Sequence, residues 1–305
     1  MELRTLAEGL QFPEGPVALG DGSVLLVEIA SGALTRVAPN GTKSVAARPG
    51  GGPNGAAVGP DGKCYLANNG GFEWHREGGH LRPLTQAKDY AGGRIERIDP
   101  ATGAVDILYR ACGEVPLKGP NDLVLDAHGG FYFSDLGKRR ARDMDIGAVY
   151  YAKCDGSLIT EIAYPMVTPN GVGLSPDGAT LYVAETEAAR LWAFPIEAPG
   201  VVKKEPWPSP HGGRLVAGMG GYQRFDSLAV QADGRICVAT LINGGVTVIS
   251  PDGRHIEHHP MPDPMCTNIC FGGPDMKTAY ITLSWTGRLV AVEWPSAGLR
   301  LNQAG

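Results

Sequence analysis

The chain has 305 residues, of which 44 are glycine and 24 proline, with 43% hydrophobic and 19% charged residues and a formal net charge of −5. Glycine at roughly twice its usual share excludes a helical protein, and the apolar content excludes a disordered one. The acidic balance gives no electrostatic reason to bind nucleic acid or an anionic membrane surface.

Taken from the N-terminus, Met1-Glu2-Leu3-Arg4 does not open a signal peptide, and no apolar run approaches the roughly 18 residues of a membrane span. The cytoplasm is therefore the expected compartment. The six cysteines are scattered without a C-x-x-C pair, which predicts buried small side chains in a reducing environment.

One unit then recurs six times. The copies begin at Glu14-Gly15-Pro16, Asn54-Gly55-Ala56, Asn121-Asp122-Leu123, Asn170-Gly171-Val172, Asp226-Ser227-Leu228 and Asn268-Ile269-Cys270. A turn follows at the same offset in each: Asp21-Gly22, Asp61-Gly62, His128-Gly129, Asp177-Gly178, Asp233-Gly234 and Asp275-Met276. Asp-Gly between apolar runs is a hairpin signal because the turn needs positive φ. The runs after the turns (SVLLVE, KCYLAN, GFYFSD, ATLYVAE, RICVAT, TAYITL) are rich in β-formers.

A third strand, often starting at glycine, closes each copy, and weaker fourth strands are expected at Val105–Tyr109 and His255–His259. Six such sheets predict an all-β, six-bladed β-propeller with about four antiparallel strands per blade, one domain over 1–305. Little sequence follows Pro295 for the last outer strand, so Glu2–Ala7 is expected to supply it and close the ring.

In a propeller the first strand of each blade lines the central channel. Glu14, Asn54, Asn121, Asn170, Asp226 and Asn268 share one register and are all carboxylates or carboxamides. Two negative charges and up to four amide oxygens around one axis suit a hard divalent cation. The long insertions, Asn69–Gly92, Arg110–Gly119, Asp135–Asp145 and Ala198–Arg224, are all expected on the face of that ring. Trp74 and His75 in the first, and Tyr222 in the last, are candidate substrate contacts. The glycines between 212 and 221 suggest a mobile flap. The histidines lie outside the ring register and are not expected to be ligands.

Phe12-Pro13-Glu14-Gly15-Pro16, Gly119-Pro120-Asn121-Asp122, Thr168-Pro169-Asn170-Gly171 and Phe225-Asp226-Ser227 together resemble the senescence marker protein/gluconolactonase/luciferin-regenerating-enzyme family. The resemblance continues to Asn268-Ile269-Cys270-Phe271-Gly272-Gly273. It implies one divalent metal on the axis, calcium first, with zinc, manganese, iron or magnesium as alternatives, and usually lactone hydrolysis of a small-molecule substrate.

Carried over by motif, Glu14, Asn170 and Asp226 match metal ligands, Asn121 a residue touching metal or substrate, and Asp226 the general base. Asn54 and Asn268 are expected to face the substrate. Sugar-specific members can carry an arginine just before Asn121; here Lys118 stands in that stretch as a candidate substrate contact, matching the charge but not the bidentate geometry, which sets this chain apart from the aldonolactone pattern. No G-x-S-x-G elbow is present. A calcium-dependent phosphotriesterase is the enzymatic alternative, and a non-enzymatic scaffold is the alternative from another class.

Overall fold

The computed structural model describes residues 2–301. Its only helical element among them is a single 3₁₀ turn, Ile29–Ser31. Among the described residues, six antiparallel sheets stand around an axis as a six-bladed β-propeller with four main strands per blade, and two further two-stranded sheets lie in the connections.

From the axis outward, blade 1 holds Pro13–Ala18, Val24–Glu28, Ala33–Val37 and Lys43–Ala47. Blade 2 holds Pro53–Val58, Cys64–Asn68, Arg94–Ile98 and Val105–Tyr109, and blade 3 Pro120–Leu125, Gly130–Asp135, Gly147–Lys153 and Ile159–Met166. Blade 4 is Pro169–Leu174, Thr180–Glu185, Arg190–Ala198 and Arg214–Gly218; blade 5 is Arg224–Val230, Ile236–Leu241, Gly245–Ile249 and Ile256–Pro260. Blade 6 takes Cys266–Gly272, Thr278–Leu283 and Arg288–Glu293 from the C-terminal end and Arg4–Ala7 as its outer strand. Arg4 pairs with Ala291 and Thr5 with Val290, so strands from the two ends of the sequence complete one sheet.

One expectation is corrected here. The stretch 198–224 is neither all flap nor all on the ring's face: Arg214–Gly218 pairs with the third strand of blade 4 and is its outer strand, and the excursion leaves that strand at Ala198, beside the turn residues Asp177 and His128 on the opposite face. The excursion between them is held down by His211, which is buried against Trp192 and Phe194 at ring distances of 4.5 and 5.6 Å. Burial pushes its imidazole down to about 4, so it is a neutral core residue at pH 7.

The apolar core is partitioned as the repeat demands. Among the described residues, each of six hydrophobic clusters joins two neighbouring blades. Phe131 and Phe133 fill the seam between blades 2 and 3; Trp294 and Phe271 fill that between blades 5 and 6. Each buried side chain of this size contributes about 1.5–3 kcal/mol of transfer free energy. All six cysteines are free, and Cys64, Cys237 and Cys266 are buried.

The C-terminal stretch crosses the turn face of the channel. Ala297, Gly298 and Leu299 are hydrogen bonded to Ala232, Met276 and Val230. Leu299 and Leu301 line the channel there with Val17, Leu123, Leu228 and Phe271. Apolar side chains dominate that end, and the ring residues Glu14, Asn121 and Asp226 lie toward the opposite mouth.

Candidate active site on the propeller axis

Each inner strand carries one extra residue where the polar ring lies. Pro53 and Ala56 face Asn68 and Leu66, Pro120 and Leu123 face Asp135 and Phe133, and the other four ladders slip likewise. A bulge bends the strand and re-aims side chains, and here it turns the ring residues toward the axis. Proline precedes the ring residue in four blades (Pro13, Pro53, Pro120, Pro169); a missing N–H is tolerated because the inner strand is an edge.

The approach to the ring is clamped by the polar residue that ends the second strand. Glu28 accepts from Gln11 N at 2.7 Å and Asn68 from Gly52 N at 2.9 Å. Asp135 accepts from Lys118 N and Gly119 N at 2.7 and 2.6 Å, and Glu185 from Val167 N at 2.8 Å. Phe12 and Thr168, each two residues before a ring residue, have φ of 58° and 52°. Such conformations in non-glycine residues cost free energy and concentrate at functional sites.

The glycine after a ring residue permits close approach. A Cβ on Gly55 would lie 2.5 Å from Asn121 O and 2.6 Å from Asp122 Cα, and one on Gly171 2.7 Å from Asp226 O. Backbone, not a movable side chain, is in the way. Gly55→Ala is therefore expected to lower unfolding stability by about 1–3 kcal/mol and to weaken activity by spreading blades 2 and 3; chemical denaturation of the purified variant measures the first effect.

The ring itself is buried: Glu14, Asn54, Asn121, Asn170, Asp226 and Asn268 are each at most 8% exposed. Asn268 Nδ2 donates to Glu14 Oε2 at 2.8 Å, as does Gly15 N. Across the ring, Asn170 Nδ2 donates to Asp226 Oδ1 at 2.6 Å and to Thr186 Oγ1 at 3.0 Å. Among the described residues, the carboxamides of Asn54 and Asn121 make no hydrogen bond.

Asp122 joins the set although it lies outside the shared register. The other blades carry Gly15, Gly55, Gly171, Ser227 or Ile269 at its position. In blade 3 the bulge places both Asn121 and Asp122 between the paired residues Pro120 and Leu123. Asp122 accepts from Leu123 N at 2.9 Å and from Val172 N of blade 4 at 3.3 Å.

Three carboxyl groups are thus buried on the axis, Asp122 and Asp226 within electrostatic reach of Glu14. Burial pushes Glu14 up to about 7. Burial, then the neighbouring Glu14, pushes Asp122 up to about 8 and Asp226 well above the usual carboxylate range. Among the described residues, no lysine, arginine or histidine is ion-paired with any of them. Negative charge buried without a protein cation fits an added one, since a bound divalent ion reverses these shifts.

Among the described residues, no three histidine, cysteine, aspartate or glutamate side chains gather as a metal cluster. The donors are instead carboxylates mixed with carboxamides, and Asn170 would present Oδ1 rather than Nδ2 after half a turn about its terminal bond. An all-oxygen set of this kind suits calcium, magnesium or manganese better than zinc.

The other residues singled out from the sequence lie around the mouth, not in the ring. Residues Phe72–Glu77 and His80–Gln86 form a hairpin inserted in blade 2. Trp74 packs on Phe12 at 5.1 Å, and His80 stacks on Trp285 of blade 6 at 5.0 Å. The hairpin therefore arches over blade 1. His75 is on its other face, 3.1 Å from Glu77 Oε2.

Lys138 pins the hairpin's foot. Its buried ammonium donates to Asn69 O and Gly71 O at 2.9 and 2.8 Å and lies 4.0 Å from the Phe72 ring. Lys118 uses its backbone here, with Tyr90 Oη donating to its carbonyl at 2.6 Å, while its side chain is exposed. Tyr222 is 72% exposed.

Comparison with known proteins places this geometry. Residues 12–284 match the family described as SMP-30/Gluconolactonase/LRE-like region. A gluconolactonase of Zymomonas mobilis is 24% identical, over 92% of this chain and 79% of its own length. A protein named lactonase drp35 from Staphylococcus haemolyticus is 30% identical, over 85% of this chain and 72% of its own length.

Among solved structures, a Xanthomonas campestris gluconolactonase superposes with a TM-score of 0.75 at 22% identity, covering 96% of this chain and 89% of that one. A calcium-binding protein, regucalcin, from Agrobacterium tumefaciens superposes with a TM-score of 0.75 at 20% identity, covering 98% of both chains. With a match over nearly its whole length, the chain belongs to the SMP-30/gluconolactonase/LRE-like family.

Proposed function

We propose that the protein is a metal-dependent hydrolase that opens a lactone, or a similar cyclic ester, at the polar mouth of the channel. The observation that carries this is the ring of buried oxygen donors on the axis, with its uncompensated carboxylates. The lactonases among its relatives support the same chemistry.

Glu14, Asn170 and Asp226 would hold the cation, with Asn121 beside them. When bound, a divalent ion supplies Lewis-acid polarisation of the ester carbonyl. Asp226 takes a proton from the attacking water; the new bond forms between water oxygen and carbonyl carbon, the ring C–O bond breaks, and the alkoxide leaves as an alcohol after taking up that proton. Before the cation binds, Asn170 Nδ2 donates to Asp226 Oδ1 at 2.6 Å and fixes the carboxylate's orientation. Asn54 and Asn121, with unused carboxamides, are placed to hold the substrate's polar groups.

A pH-stat panel of lactones and phosphotriesters tests the reading, because each ring opening near neutral pH releases one proton. Turnover of lactones with little or none of the triesters is expected. Turnover of triesters alone would overturn the proposal in favour of a phosphotriesterase.

A further inference from the structure

Arg224 opens the inner strand of blade 5, two residues before Asp226, with the buried Phe225 between them. Two residues of extended chain separate Arg224 from Asp226 by about 7 Å, and the bulge that begins after Phe225 sets the direction of Asp226. An arginine side chain spans that distance. Its Nη2 lies 2.9 Å from Glu187 Oε2.

Glu187 is tied to the ring from the other direction. Its amide donates to Thr168 Oγ1 at 3.0 Å, and it follows Thr186, which accepts from the ring residue Asn170. Asp226, Asn170, Thr186, Glu187 and Arg224 thus form a circuit on the blade 4–blade 5 side of the mouth.

At Glu187 the cations outnumber the carboxylate. Arg139, from the 135–145 loop of blade 3, places Nη1 3.9 Å from Glu187 Oε1, so two guanidinium groups share one carboxylate. Arg224 Nε is shielded from solvent and has no acceptor among the described residues. Tyr222 lies over the same guanidinium at 5.8 Å. An arginine with an unsatisfied N–H, beside a carboxylate it must share, suits the bidentate capture of an oxyanion.

We infer that Arg224, supported by Arg139, recognises an anionic group on the substrate, so that the lactone is one bearing a carboxylate or a phosphate. The inference rests on the lactonase reading above. Arg224 sets which substrate is taken, and the reacting ester is left to the ring.

Four probes test it in paired rates: γ-butyrolactone against its γ-carboxylate, and glucono-δ-lactone against its 6-phosphate. The native enzyme is expected to favour one charged probe over its neutral partner about ten- to hundredfold in kcat/KM. The favoured pair separates carboxylate from phosphate. Arg224→Gln should lower that charged-to-neutral ratio about tenfold or more, through KM, and Arg224→Lys should restore only part of it.

Arg139→Gln, on an exposed loop position where folding is not at stake, should lower the ratio about two- to fivefold. A native ratio near one, or a ratio unchanged in both variants, overturns the inference while leaving the lactonase reading in place. A native enzyme that opens none of the four overturns that reading and this inference with it.

Discussion

Asp226→Asn is expected to lower kcat/KM for lactone opening about a thousandfold without lowering the thermal unfolding temperature of the metal-free protein. The two halves have the same cause. Asp226 is buried and its carboxylate is repelled first by Glu14 and then by Asp122, so the fold carries it at a cost. The amide keeps its shape, and the contact with Asn170, but removes the charge and the proton acceptor. A residue kept for chemistry at the expense of stability shows this signature. Substantial turnover by the variant with cation bound would remove Asp226 as the base; a large drop in unfolding temperature would make its role structural.

Glu14→Gln comes second in size. Glu14 and Asp226 are the two formal charges among the proposed ligands, and the affinity of oxygen-donor cation sites depends on charge count. A weakening of calcium binding of about a hundredfold or more is expected by calorimetry, accompanied by loss of activity that higher calcium partly restores. Asn268 Nδ2 and Gly15 N can still reach a glutamine Oε1, so the blade 1–blade 6 seam should hold. Unchanged calcium affinity in a folded variant would take Glu14 out of the ligand set.

Much of the propeller was legible because its signals are local. A turn at a constant seven-residue offset, Asp-Gly in four of the six, marks each blade, and the apolar runs on either side have strand length. The shared register of Glu14, Asn54, Asn121, Asn170, Asp226 and Asn268 was legible for the same reason. Asp122 was not, since in a regular strand a residue next to Asn121 points the other way; only the bulge brings both to the channel.

The outer strand of blade 4 was read as flap because the excursion before Arg214 separates it from its partner in sequence, and pairing over such a gap leaves no periodic trace. Lys138 and Arg224 look like ordinary surface charges in one dimension. Their roles come from carbonyls at Asn69 and Gly71 and from a carboxylate at Glu187, contacts between blades that no local pattern encodes. Trp285, against which the hairpin's His80 stacks, was missed on the same ground.

The central claim is that a divalent cation, held by the axial ring, is needed to open a lactone. Its most direct test is pH-stat hydrolysis of a lactone by protein stripped with EDTA, verified metal-free by elemental analysis, and then titrated with calcium, magnesium, manganese or zinc. Hydrolysis is expected to be lost on stripping and to return with an oxygen-preferring ion, calcium first. Undiminished hydrolysis by verified metal-free protein would contradict it.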